Sequence, residues 1–298
     1  MNNQTTNPVF HGSDIEKISA CYHIKKEAIV NFAGNVNPLG LPASVKEAVA
    51  THADLFSSYP DREYLSLRNV LSNYCDVPAD YILPGNGSSE LIALLIEARA
   101  PKHTLILGPT YSEYSRELTF SGSTQDYYHL QETSDFRPDL EDLFHTLSDG
   151  YDFLIICNPN NPTSSAIFRD ELKELLAFCK RKNIFVMIDE TYVEFAPDIS
   201  AITAVPLTKQ FSNLMVLRGV SKFYAAPGMR FGYGITGNNV ARVSSRYLSI
   251  RSIASGNSFT RLNCPFFPRR YFSHSAPLSS LDRLSGVMAT TSTYEVPA

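Results

Sequence analysis

Phe153-Leu154-Ile155-Ile156-Cys157-Asn158-Pro159-Asn160-Asn161-Pro162-Thr163 is an unbroken apolar run that ends in an Asn-Pro turn. Five consecutive apolar residues without polar alternation suit a strand covered on both faces. A helix-length stretch, Arg169 to Arg181, separates this run from a second one, Ile184 to Ile188, which delivers Asp189-Glu190. A third, Leu214 to Leu217, delivers Arg218-Gly219-Val220-Ser221-Lys222, and Phe231 to Ile235 completes the series. The same alternation extends upstream. Helices are predicted over Pro42–Ala53, with Val45, Ala48 and Val49 on one face, and over Tyr64–Tyr74, with Leu67, Val70 and Leu71. The strand Tyr81–Leu83 is followed by the turn Pro84–Ser89 and a helix from Glu90. Strand Thr104–Leu107, helix Ser112–Phe120, strand Gln125–Leu130 and helix Asp139–Leu147 lead back to the opening run. Strands separated by helices of this size predict an α/β fold with a mainly parallel central sheet. Ligands of such sheets sit where loops converge beyond the carboxyl ends of the strands.

Composition narrows the function classes. The 298 residues are 44% hydrophobic and 19% charged, enough apolar material for a large core. The net charge of −4 argues against a nucleic-acid partner, which calls for a basic excess. The longest apolar stretch, Leu91 to Ile96, is cut by Glu97 and Arg99, far short of a membrane span. The first eight residues are polar and lack a basic-then-apolar leader, so the expected location is the cytoplasm. The five cysteines are scattered and form no C-x-x-C pair, which leaves neither a disulfide framework nor a metal site to expect.

The strand ends carry the chemistry. They present an amide turn (Asn158–Thr163), a carboxylate (Asp189), a lysine followed eight residues later by Arg230, and the glycine-rich turn Gly85-Asn86-Gly87-Ser88 at a helix start. Singly, each has a commoner explanation: a solvated lysine, a helix-capping aspartate, an ordinary turn. Together they suit a cofactor with an aldehyde, a pyridine nitrogen and a phosphate. Pyridoxal 5'-phosphate needs a lysine to condense with its aldehyde, a carboxylate to keep its ring nitrogen protonated, and N–H or cationic donors for its phosphate.

Seven strings carry a resemblance that can be named: His11–Ile15, Asn35–Gly40, Tyr59–Asp61, Gly85–Glu90, Asn158–Thr163, Asp189-Glu190, and Ser221-Lys222 through Arg230–Tyr233. In this order, over residues 9–245, they resemble the class I/II aminotransferases, pyridoxal-phosphate enzymes of fold type I. The nearest branch holds histidinol-phosphate aminotransferase and threonine-phosphate decarboxylase. The resemblance implies that Lys222 bonds the cofactor and later shuttles a proton at the substrate α-carbon. Asp189 would pair with the ring nitrogen, Asn161 and Tyr192 with the ring oxygen, and Tyr111 would stack on the ring. Gly87, Ser88, Ser221 and Arg230 would hold the phosphate, and Asn37 would line the substrate pocket. Tyr59 would reach the phosphate of a neighbouring subunit, which implies a homodimer. The catalytic residues are thus Lys222, Asp189 and Tyr192, with no metal.

On the same grounds, residues 1–40 are expected to form an N-terminal arm and part of a small domain, and 41–245 the cofactor-binding large domain. Residues 246–298 are expected to be an aberrant, poorly ordered segment that leaves the small domain incomplete. Beyond residue 250 there are five arginines and no lysine, four prolines, and no helical or strand period. No counterpart stands there for the family's arginine that clamps the substrate α-carboxylate. Two smaller departures are Gly219, where the family has a serine or threonine on the phosphate, and Ser164 in place of a glycine. The latter is a mild change if the backbone there avoids positive φ. The implied reaction moves the amino group of an L-amino acid, phosphorylated substrates of the histidinol-phosphate kind included, to a 2-oxo acid. The alternatives are decarboxylation of threonine phosphate and, in another class, an inactive cofactor-binding homologue without the carboxylate clamp.

Overall fold

The computed structural model describes residues 14–237. In chain order they form α1 (Ile15–Tyr22), α2 (Ala43–Thr51), α3 (Leu65–Cys75), β1 (Ile82–Gly85), α4 (Ser88–Arg99), β2 (His103–Gly108), α5 (Glu113–Ser121) and β3 (Thr124–His129). Then follow α6 (Leu140–Leu147), β4 (Phe153–Cys157), α7 (Arg169–Arg181), β5 (Phe185–Asp189), α8 (Ile199–Ile202), β6 (Leu214–Gly219) and β7 (Gly232–Thr236). The strands make one seven-stranded sheet in the order β1-β7-β6-β5-β4-β2-β3. Only β7 runs antiparallel to its neighbours, so the expected mainly parallel α/β sheet is present.

The central strands are buried on both faces, as their continuous apolar runs require, and their side chains divide with period two. Phe153, Ile155 and Cys157 of β4, Phe185 and Met187 of β5, and Met215 and Leu217 of β6 share one core with Leu91, Leu95 of α4 and Tyr114, Leu118 of α5. The alternate residues Leu154, Ile156, Val186, Ile188, Leu214 and Val216 share the other with Leu143 of α6 and Leu172, Leu175, Leu176, Cys179 of α7. The α7 positions recur at i, i+3, i+4 and i+7, one apolar face of a helix. By the same alternation Asp189 emerges on the α4/α5 side of the sheet, level with Cys157 on one side and Leu217 on the other.

Two packing expectations fail. Helix α2 buries none of its residues, and Val49 is exposed. In α3, Leu71 is buried but Val70 is 65% exposed. Helix α3 turns Leu71 and Cys75, not Val70, into the core. Helix α1 was not predicted from the pattern. The boundary at 245, the segment 246–298, the string His11–Ser13 and Cys264 lie outside the described residues. Among the described residues, the four cysteines are free thiols, no carboxylate, histidine and thiol cluster suits a metal, and no helix is long and apolar enough to cross a membrane.

Candidate active site

Asp189 is the last residue of β5 and only 4% exposed. Its Oδ1 accepts from the Thr191 amide at 2.9 Å and the Thr191 hydroxyl at 2.5 Å. Its Oδ2 accepts from the Tyr114 hydroxyl at 2.8 Å. Burial pushes the carboxyl pKa up, and the Thr191 and Tyr114 donors and the Lys222 charge oppose that shift. Directly below, Arg218 of β6 donates to Glu190 Oε2 at 2.8 and 3.0 Å, a buried pair that ties the ends of β5 and β6 together.

Lys222 follows β6 and is half-buried. Its Nζ donates to the Gly34 carbonyl at 2.8 Å and lies 5.9 Å from the centre of the Tyr192 ring. Among the described residues it forms no ion pair, although Asp189 is near enough to act on it electrostatically. Burial, the larger effect, lowers its pKa, which enlarges the fraction of neutral, nucleophilic amine. Residues 34–37 cross this loop. The Asn37 amide donates to the Lys222 carbonyl at 3.0 Å, and Asn37 Nδ2 donates to the Phe223 carbonyl at 2.9 Å. Asn37 Oδ1 accepts from Leu39 N at 3.0 Å. The structure therefore turns Asn37, expected to line a substrate pocket, onto the chain itself, because an amide beside two unpaired backbone groups satisfies them first.

The glycine-rich turn and Arg230 meet at the start of α4. Gly87 caps that helix with φ of +87°, and a Cβ there would lie 2.8 Å from the Arg230 guanidinium. A Cβ on Gly232 would strike the Ser88 amide at 2.6 Å. One on Gly219 would sit 3.9 Å from Ser88 Oγ, which brings the loop of Ser221 to the same place. Gly87, Ser88 and Arg230 thus form a concave cradle of N–H and cationic groups suited to a phosphate.

On the other side of Lys222, Asn35 Nδ2 donates to Asn161 Oδ1 at 3.3 Å, and the Asn35 side chain also bonds Tyr192. Asn35, Asn161 and Tyr192 border a cavity of about 690 Å³ walled by Pro159, Phe168 and Phe195. Tyr111 is half-buried, edge-on to Tyr114 with ring centres 5.5 Å apart, and burial pushes its phenol up to about 12. Tyr59 does not join its own chain's cluster. It is 102% exposed, beside exposed Leu55 and Phe56. Ser164 has φ of +60°, so replacing a glycine there is a strained change and not the mild one expected.

Sequence reading missed the roles of Tyr114 and Thr191. Tyr114 lies three residues after Tyr111 at the start of a predicted helix. That spacing puts both rings at one corner of the sheet, but a tyrosine in a helix ordinarily reads as core.

The class I and II aminotransferase family model matches residues 27–260, past the 245 boundary of the quoted strings. The chain is 34% identical to the threonine-phosphate decarboxylase of Salmonella typhimurium over 237 residues, covering 79% of this chain and 64% of that one. It is 31% identical to the histidinol-phosphate aminotransferase of Bacillus velezensis over 239 residues, with coverage of 79% and 64%. Among solved structures, the histidinol-phosphate aminotransferase of Clostridium acetobutylicum superposes with a TM-score of 0.64 at 34% identity, covering 71% of this chain and 62% of that one. The chain spans just under two thirds of the length of these relatives. With the family model matched over far more than half of its residues, the chain belongs to the class I and II aminotransferases.

Proposed function

We propose that residues 41–245 hold pyridoxal 5'-phosphate for an enzyme that transfers the amino group of an L-amino acid to a 2-oxo acid. One observation carries the reading. A lysine without an ion partner among the described residues, a buried carboxylate and an anion cradle, remote in sequence, stand around one end of the sheet. The residues fit the group: the cradle is open only because Gly87 and Gly232 have no Cβ, and the donors match an aldehyde, a ring nitrogen and a phosphate.

When bound, pyridoxal phosphate supplies an aldehyde for the amine and a ring that accepts the electron pair left on the substrate α-carbon. The protein supplies the rest. Lys222 Nζ, whose pKa burial lowers, would hold the cofactor through its aldehyde and would move the proton at the substrate α-carbon. Asp189 would keep the ring nitrogen protonated. Asn161 and Tyr192 would bond the ring oxygen, and Tyr111 would pack against the ring. Gly87, Ser88, Ser221 and Arg230 would hold the phosphate. Asn37 fixes the Lys222 loop. The exposed Tyr59, with Leu55 and Phe56, supports a homodimer in which it serves the neighbouring site.

The second reading, decarboxylation of threonine phosphate, draws on the 34% identity to the Salmonella decarboxylase. Both reactions would act on an amino acid held at the cofactor and differ in which α-carbon bond breaks. Purified protein mixed with pyridoxal phosphate, then reduced with borohydride, should carry the cofactor on Lys222 by mass spectrometry, and Lys222→Ala should not. Amino transfer to a 2-oxo acid supports the first reading, and carbon dioxide release from threonine phosphate the second. Cofactor capture without either supports an inactive homologue. Failure to capture the cofactor overturns all three.

A further inference from the structure

Asp189 is walled in so that its two oxygens have unequal roles. Oδ1 is occupied by two donors from Thr191. Oδ2 takes one side-chain hydrogen bond among the described residues, from Tyr114 at 2.8 Å, and keeps acceptor capacity for a further N–H. Tyr114 is fully buried in α5, in the core shared with Ile155, Cys157, Met187 and Leu217. A phenylalanine would fill that space with no hydroxyl to satisfy, so packing alone does not call for a tyrosine. Its neighbours do not supply a competing charge: the Cys157 thiol, which also contacts the Tyr114 hydroxyl, is itself buried and pushed up to about 12. Tyr114 is also locked edge-on to Tyr111 at an interplanar angle of 87°. The start of α5 therefore reaches both a candidate ring-covering residue and the carboxylate that would face the ring nitrogen.

We propose that Tyr114 is a positioning residue for Asp189: its hydroxyl aims Oδ2 and holds the carboxylate in its charged form toward the ring nitrogen of the cofactor. The inference rests on the pyridoxal-phosphate reading above and concerns only how the carboxylate is set. A carboxylate in a dry site keeps its charge only where donors replace the lost water. Removing one of three donors shifts the balance toward the neutral acid, which offers the ring nitrogen no charge.

The test compares two ligands on the full chain: pyridoxal phosphate, and its analogue with the ring nitrogen replaced by C–H. Dissociation constants are measured for the wild type and Tyr114→Phe. Loss of one charge-assisted hydrogen bond is expected to weaken pyridoxal phosphate about tenfold or more. The carbon analogue, which makes no bond to Asp189, should bind both proteins equally. An equal loss for both ligands makes Tyr114 a packing residue and overturns the inference, as does no loss for either. Wild-type protein that binds neither ligand overturns the cofactor reading itself, and the inference with it. If Tyr114→Phe does not fold, 3-fluorotyrosine at position 114 is used instead, since it keeps the hydroxyl and strengthens its donation. It should tighten pyridoxal phosphate relative to the carbon analogue, and an unchanged ratio overturns the proposal.

Discussion

The backbone amide of Asn37 donates to the carbonyl of Lys222 at 3.0 Å, across 185 residues of sequence. The Asn37 side chain adds a bond to the next carbonyl, at Phe223, and Gly34 takes the lysine amine itself. A short segment without regular structure thereby sets both the backbone and the side chain of the candidate nucleophile.

Asn37→Ala should loosen that loop. It removes the bond to Phe223 and leaves a half-buried carbonyl open, a loss of about 1 kcal/mol. Borohydride capture of pyridoxal phosphate on Lys222 should slow, and the melting temperature should fall by a few degrees. Unchanged capture would show that Asn37 does not set the Lys222 loop.

Gly219→Ser should tighten the cofactor. The nearest atoms to a Cβ there are 3.8 Å or more away, ordinary contact, so the side chain enters without strain. A hydroxyl beside Ser88 and the cradle adds one bond to an anion, worth about tenfold in affinity. Titration with pyridoxal phosphate checks it, and inorganic phosphate should show the same preference.

Ser164→Gly should stabilise the protein. A side chain at φ of +60° costs about 1 kcal/mol that glycine does not incur. Thermal or urea unfolding of the two proteins measures the gain.

Asp189→Asn should make the cofactor-free protein more stable at neutral pH while abolishing tight cofactor binding. The folded pKa of Asp189 is raised by burial above the ordinary 3.8, so the native state holds its proton more strongly than the unfolded chain. Native stability therefore falls as pH climbs through the raised value, and the amide removes that loss. The advantage of the variant should vanish below pH 3.8, where both states of the wild type are protonated. Melting curves at a series of pH values test the sign.

Much of this was legible in local sequence. The runs Phe153–Cys157 and Arg169–Arg181 appear as β4 and α7 with the predicted ends, because burial on both faces and a four-residue apolar stripe leave strong periodic marks. Val70 and the apolar face of α2 were misread because periodicity reports what a helix could bury, not whether another layer stands opposite it. The bond from Asn37 to the Phe223 carbonyl left no local mark for a related reason: the group that the amide satisfies lies far away in sequence.

What the sequence alone determined is the order of strands and helices and the chemical type of group at each strand end, since both follow from residue identity and short-range spacing. What only the tertiary structure decided is which groups face one another. Tyr114 on Asp189, Gly34 on Lys222, and Arg230 against Gly87 are all contacts between residues far apart in sequence. Such contacts arise when helices and strands pack, because burying polar groups forces each to find a partner wherever the fold brings one within reach.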